Sequence, residues 1–288
     1  MAPRQDIGRV ALRTALRIRT AAGIKLWEAL SVFDLAEQLG IDVWFVENGS
    51  LEGMYWRHTP PTIFLSAQRP CGRQAFTCGH ELGHHIFGHG TRMDELLGDG
   101  PSRNAQAPEE SLADLFSGFL LMPQVAVNRG FQERGWDPGG SLPEQVYTVA
   151  HWLGVGYTTL VNHMCFALRI LPRARGEALL KAAPKSIRLT IAGDEVSHDL
   201  IVVDEKWSGR AVDAQVGDLI LLPQTIEVES KSLRIEREDA TGKLVRAIVP
   251  GRGRFFSQNT EWAVYVRVSR REYVGRNMFR HLEEVDDE

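Results

Sequence analysis

The run Phe76-Thr77-Cys78-Gly79-His80-Glu81-Leu82-Gly83-His84 contains His-Glu-x-x-His, a spacing that makes chemical sense on a helix. At about 100° per residue, His80 and His84 lie one turn apart on one face. Two neutral imidazoles so placed can hold one Zn²⁺, and Glu81, displaced around the helix, can reach a water on the metal as general base. Ala75, Cys78, Leu82 and Ile86 fall within roughly 80° of one another on the opposite side, so the segment has a core face and a metal face. The plain alternative is a buried helix whose histidines only make hydrogen bonds.

Two histidines fall short of the three protein ligands of a catalytic zinc, so a third must come from elsewhere. The segment Pro108 to Pro123 can supply it. Read as a helix, it carries Leu112, Leu115, Phe116, Phe119 and Leu120 on a broad apolar face, and Glu110, Asp114 and Ser117 within roughly 60° on the other side. Glu110 can therefore face the metal. Asp114, one turn on, can accept a hydrogen bond from a ligand histidine and fix its tautomer. Ser117 and Gly118 are small enough to let two helices approach. Glu109 is the rival ligand, although its helical angle lies nearer the apolar edge, and a solvated carboxylate at the helix N-terminus is the ordinary reading of Glu110.

These two segments together, Arg73-Gln74-Ala75-Phe76-Thr77-Cys78-Gly79-His80-Glu81-Leu82-Gly83-His84 and the carboxylate followed by Ala113-Asp114-x-Phe116-x-x-x-Leu120-Leu121-Met122-Pro123, resemble the ImmA/IrrE-type zinc metallopeptidases. The resemblance covers roughly residues 25 to 170, including Asp34-Leu35-Ala36-x-x-Leu39-Gly40-Ile41 and Leu153-Gly154-Val155-x-x-x-x-Leu160. It implies zinc as cofactor and places the family's third ligand, thirteen residues before the proline, on Glu110. The family often has Asn where this chain has Asp114. Glu-x-x-x-Asp is also what other Glu-ligated, gluzincin-like zinc peptidases show. The resemblance further implies a protein substrate, a helix-turn-helix transcriptional repressor, cleaved in a stress, phage or mobile-element response. Two other readings stand beside it: a non-proteolytic zinc-dependent sensor or scaffold, and a structural zinc domain closed by a fourth protein ligand.

The elements that must position these residues can be followed along the 288-residue chain, which at 43% hydrophobic and 24% charged has an ordinary globular composition and room for two domains. A net charge of −4 provides no global attraction to nucleic acid, and no direct nucleic-acid partner is expected. Cys71, Cys78 and Cys165 form neither a CxxC pair nor an even secreted framework, which predicts reduced thiols in a cytoplasmic protein. No apolar run approaches the ~18 residues of a membrane span, and no signal-peptide core is visible at the N-terminus.

Arg9, Arg13 and Arg17 at four-residue spacing, with Val10, Leu12, Leu16 and Ile18 between them, predict an amphipathic helix with a solvated basic stripe. Ser31-Val32-Phe33-Asp34 and Gly40 bracket a short helix over 32–39, followed by strands at 41–46, 55–56 and 62–65. The edge of that small sheet could hold an extended peptide. Residues 88–107 and 124–143, rich in Gly, Asp, Asn and Pro, are expected as surface loops, the first mobile without substrate. His85 and His89 point away from the metal face and are expected to be structural. Residues 144–153 and 158–170 should be helical, with 153–157 resembling a helix-turn-helix turn that lacks a basic patch. His151, His163, Tyr147 and Tyr157 are candidate donors to a tetrahedral oxyanion.

After Leu171 the composition shifts, and runs at 187–191, 200–203, 219–222, 226–228, 233–235, 244–249 and 262–268 read as strands. The expected fold class is α+β: a mainly helical, zincin-like metallopeptidase domain with a small sheet over residues 1–175, then an all-β sandwich or barrel over 186–288 that senses a signal or docks substrate. The oligomeric state is not legible.

Overall fold

The computed structural model describes residues 4–95, 107–193, 196 and 198–282. The expected mobility of the 88–107 loop lies largely outside the described residues. The first half opens with α1 (Arg4–Ala21), whose Arg9, Arg13 and Arg17 are exposed as expected, while Ala11 and Ala15 pack inward. Arg19 at its end is fully buried and donates to the carbonyls of Leu120 (2.7 Å), Lys25 (2.9 Å) and Glu28. Its charge is thus spent on carbonyls, one of them at the C-terminus of the helix that carries Glu110. In α2 (Val32–Gln38) the Ser31 hydroxyl caps the backbone N–H of Asp34 at 3.3 Å.

The strands β1 (Asp42–Val46), β2 (Leu51–Trp56) and β3 (Thr62–Ser66) lead into α3 (Cys71–Phe87), which Gly88 ends in the left-handed conformation at φ 72°. Then come β4 (Arg92–Glu95) and α4 (Pro108–Leu121). Proline at the first turn of α4 costs no internal hydrogen bond there. α5 (Gln124–Gln132) corrects the expected second loop. Its glycine was misleading: Gly130 lies inside the helix because a Cβ there would sit 2.9 Å from Trp152 and Val149, so it marks close packing and not a turn. Only 133–142 remains irregular before α6 (Pro143–Leu153), α7 (Tyr157–Asn162) and a π-helical turn at His163–Ala167.

Next are α8 (Arg173–Leu180) and α9 (Pro184–Ala192). The latter overturns the strand expected at 187–191. Pro184 at the first turn and Gly193 at φ 78° are helix punctuation, and Ile187 and Ile191, four apart, face the core together. The strands that follow are β5 (Leu200–Val202), β6 (Val212–Gln215), β7 (Leu219–Leu222), β8 (Ile226–Glu229), β9 (Leu233–Asp239), β10 (Gly242–Ala247), β11 (Gly251–Ser257), β12 (Ala263–Ser269) and β13 (Gly275–Arg276).

They form two open four-stranded sheets, β5-β7-β10-β9 and β6-β12-β11-β8, and no closed barrel among the described residues. The fold class is α+β, a helical region with a small sheet followed by a strand-rich region. β13 leaves that region to pair antiparallel with β1, Trp44 opposite Arg276, giving a first sheet of order β13-β1-β3-β2-β4.

Several contacts cross the expected boundary between 175 and 186. One apolar core runs from Ala11 through Leu82, Phe116 and Trp152 to Trp207, Val245 and Val268. Tyr147 donates to the carbonyl of Leu200 at 2.8 Å, and Arg134 forks onto Asp204 at 2.6 and 2.8 Å. Arg267 joins Asp213 (2.6 Å) to Asp34 (2.9 Å). No helix among the described residues is long and apolar enough to cross a membrane.

Candidate metal centre

α3 and α4 pack closely because glycines of one meet small residues of the other. A Cβ at Gly79 would lie 2.5 Å from Ser117 Oγ, and one at Gly83 would lie 3.1 Å from Ala113 Cα. Ser117 also donates to the carbonyl of Phe76 at 2.7 Å, holding the two helices in register. Gly118, expected at the same contact, instead faces His163, whose ring would be 2.8 Å from a Cβ there.

This packing brings His80, His84 and Glu110 together, all buried, with Glu110 9% exposed while Glu109 faces solvent. The Nε2 atoms of His80 and His84 are 3.0 Å apart, and Glu110 Oε2 lies 3.2 Å from the first and 3.4 Å from the second.

The outer nitrogens of both rings are engaged. His80 Nδ1 is 2.8 Å from Asp114 Oδ1, as Asp114's place one turn beyond Glu110 predicts. An ionised carboxylate only accepts, so His80 carries its proton on Nδ1 and directs the Nε2 lone pair at the cluster. His84 Nδ1 lies 2.9 Å from His89 Nδ1. This corrects the expectation that His89 is remote from the metal face: helical angles do not apply past Gly88, where the left-handed turn folds the chain back over the end of α3. His85 is held as a structural residue by Tyr55, whose hydroxyl is 2.8 Å from its Nδ1.

The donor set fits a zinc ion. Zinc–nitrogen and zinc–oxygen bonds of ~2.0–2.1 Å at tetrahedral angles put neighbouring ligand atoms about 3.3 Å apart. The observed spacings are 3.0, 3.2 and 3.4 Å. Three lone-pair donors converging at such distances repel one another unless a cation lies among them. Among the described residues the group has three protein members, so a tetrahedral ion would keep one open position. Glu81 is fully buried on the β2 side of α3, where Gly53 leaves it room: a Cβ there would come within 2.6 Å of Glu81 Oε1.

A cavity of about 760 Å³ opens beside the centre, lined at one end by His80, Glu110 and Asp114. Of the four candidate oxyanion donors, His163 lies behind α4 with Nε2 3.0 Å from the Met122 carbonyl. Tyr147 and Tyr157 line the cavity, but their hydroxyl protons go to the carbonyls of Leu200 and Leu179, both at 2.8 Å. His151 lines it too, stacked on Tyr147 at 4.2 Å, with no hydrogen bond to its ring among the described residues. Burial pushes its pKa down, which keeps it neutral near pH 7.

Comparison with known proteins gives one family. Residues 36–163 match the peptidase M78 family, described as the IrrE N-terminal-like domain. No curated protein matches the chain. Among solved structures, a Mycobacterium tuberculosis transcriptional regulator is 18% identical, with 59% of this chain and 49% of that chain covered and a TM-score of 0.36. The chain thus spans about half of that regulator's length, and so loose a superposition carries no argument. The family match covers α3, α4 and all three members of the His-His-Glu group. Over residues 36–163, less than half of its length, the chain is thus similar to the IrrE N-terminal-like domain of the peptidase M78 family.

Proposed function

We propose that the chain is a zinc-dependent endopeptidase that cleaves a protein substrate, with a helix-turn-helix repressor as the substrate class that the family resemblance favours. The observation that carries the proposal is the triangle of His80, His84 and Glu110, with His80 and His84 each held from behind by a second side chain. Zinc held there supplies Lewis-acid polarisation of the scissile carbonyl and activation of a water. His80 and His84 offer Nε2, and Asp114 keeps His80 in the tautomer that can do so. Glu81 accepts the proton of the attacking water and returns it to the departing amine. The substrate enters extended, beside β2 and the sheet edge formed by β4.

Cleavage of a proteome-derived peptide library by the zinc-loaded wild type and by Glu81→Gln tests this reading. The amide cannot accept the water's proton, so the variant should keep its zinc and lose cleavage. Equal cleavage by both proteins would overturn the mechanism. Zinc bound by a wild type that cleaves nothing would favour the scaffold or sensor.

A further inference from the structure

The cavity does not end at the metal centre. It follows the flank of α3 from His80 back through Phe76 to Cys71 and reaches an inner chamber lined by Tyr147, His151, Arg188, Asp199, Arg210 and Asp218. The nine helical steps from Cys71 to His80 span about 13 Å, the length of roughly four residues of extended chain. Four of the six chamber residues come from the segment after residue 185, so the strand-rich region supplies a wall of the same cleft that holds the His-His-Glu group.

The chamber's acceptors are largely spent. Both oxygens of Asp218 take backbone N–H groups, from Asp199 at 3.3 Å and Gln215 at 2.8 Å. Asp199 Oδ1 takes the Leu200 N–H at 3.0 Å and lies 3.1 Å from the Tyr147 hydroxyl, whose one proton it shares with the Leu200 carbonyl. The neighbouring Asp213 is held by Arg267 at 2.6 and 3.0 Å. The donors are less committed. Arg188 reaches Asp199 only with Nη1 at 3.7 Å, outside hydrogen-bond distance, which leaves its terminal nitrogens for a ligand, while its Nε is buried out of reach. Arg210, laid over Gly154, uses Nε on the Ala211 carbonyl (3.2 Å) and Nη2 on Asp213 (3.4 Å). His151 brings a neutral ring whose nitrogens have no hydrogen bond among the described residues. A site with spare cationic donors and occupied acceptors selects an anionic acceptor, and a carboxylate matches the planar guanidinium. Ile201, Trp207 and Val155 offer apolar surface for the chain that carries it.

We infer that this chamber is a specificity pocket for a carboxylate of the substrate polypeptide, an acidic side chain or the chain end, about four residues from the bond cleaved. The inference rests on the peptidase reading for the identity of its ligand, and it is tested without turnover. The full-length, zinc-loaded Glu81→Gln protein is titrated with N-acetylglutamate amide and N-acetylglutamine amide, and with N-acetylglycylglycine and its amide, while the His151 ring resonances are followed by NMR. The carboxylate member of one pair should shift His151 saturably, and which pair responds identifies the side chain or the chain end as the source. Arg188→Gln should weaken that binding at least tenfold, and Arg188→Lys should restore most of it. Equal responses to carboxylate and amide, or carboxylate shifts confined to His80 and His84, would overturn the pocket. The response is read without hydrolysis, so an absence of cleavage by the wild type would count against the peptidase and not against carboxylate binding.

Discussion

Replacing Gly83 by Ala tests whether close packing of α3 on α4 is what places Glu110. The added methyl would meet Ala113 Cα at 3.1 Å, Phe116 Cδ1 at 3.2 Å and Ala113 Cβ at 3.3 Å. One of these is a backbone atom and another belongs to a fully buried ring, so neither can simply rotate away. Overpacking of this kind costs about 1–3 kcal/mol. Against it stands the roughly 1 kcal/mol that Ala gains over Gly in any helix interior. Gly8→Ala in α1 isolates that gain, because nothing lies within 4 Å of a Cβ there. The difference between the two substitutions therefore reports the overpacking alone, about 1–3 kcal/mol, or several degrees in Tm at about 2–4 °C per kcal/mol for a chain of this size.

Separation of the helices would relieve the strain in metal-free protein, but metal binding would have to restore it. With tenfold in affinity per ~1.4 kcal/mol, zinc should bind Gly83→Ala about tenfold more weakly or worse, and Gly8→Ala unchanged. Thermal unfolding in EDTA and zinc competition against a chelating dye measure both quantities. A Gly83→Ala protein as stable as Gly8→Ala, with undiminished zinc affinity, would refute the reasoning.

Asp114→Ala should leave the fold intact and weaken zinc binding by about 10–100-fold, because the His80 tautomer is no longer held; equilibrium metal competition checks it, and an unchanged affinity would remove Asp114 from the site. Thermal unfolding of the whole chain should be one transition, since β13 pairs with β1 and one core spans both halves; two transitions, with only one responding to EDTA, would favour the two-domain division at 175 and 186 instead. Burial pushes the folded-state pKa of Asp218 up to about 7, so between about pH 4, where the unfolded chain releases this proton, and pH 7 the folded state binds more protons and stability should fall as pH rises. Asp218→Asn should remove that part of the pH slope in denaturant titrations, and an unaltered slope would show that Asp218 does not hold its proton.

The grouping of His80, His84, Glu110 and Asp114 in the candidate site was legible because it depends on helical geometry alone. His80 and His84 one turn apart, and Glu110 with Asp114 one turn apart, are properties of spacing that survive whatever the helices pack against. His89 was hidden by a chain reversal at Gly88, whose direction a helical wheel cannot represent. Gly130 was misread as a turn residue where it marks a close approach of Trp152, and Gly118 was rightly read as a close approach but expected against α3 and not His163; only the partner distinguishes these cases. The run Ile187 to Ile191 has the residue types of a strand, and Pro184 with Gly193 decided for a helix. β11, with Gly251, Arg252, Gly253 and Arg254 in its first half, shows no strand pattern and is held by pairing with β12 and β8. The cleft wall formed by Arg188, Asp199 and Arg210 is a long-range product of packing that no local pattern announces.

The central claim is that His80, His84 and Glu110 hold one zinc ion, and the most direct test is the zinc content of purified wild type, Glu109→Ala and Glu110→Ala after the same exposure to metal and the same desalting. Glu109 is exposed, whereas Glu110 Oε2 lies 3.2 and 3.4 Å from the two imidazole nitrogens. One zinc per chain is expected in the wild type and in Glu109→Ala, with loss in Glu110→Ala; a full zinc complement in Glu110→Ala, or no zinc in the wild type, would contradict the account.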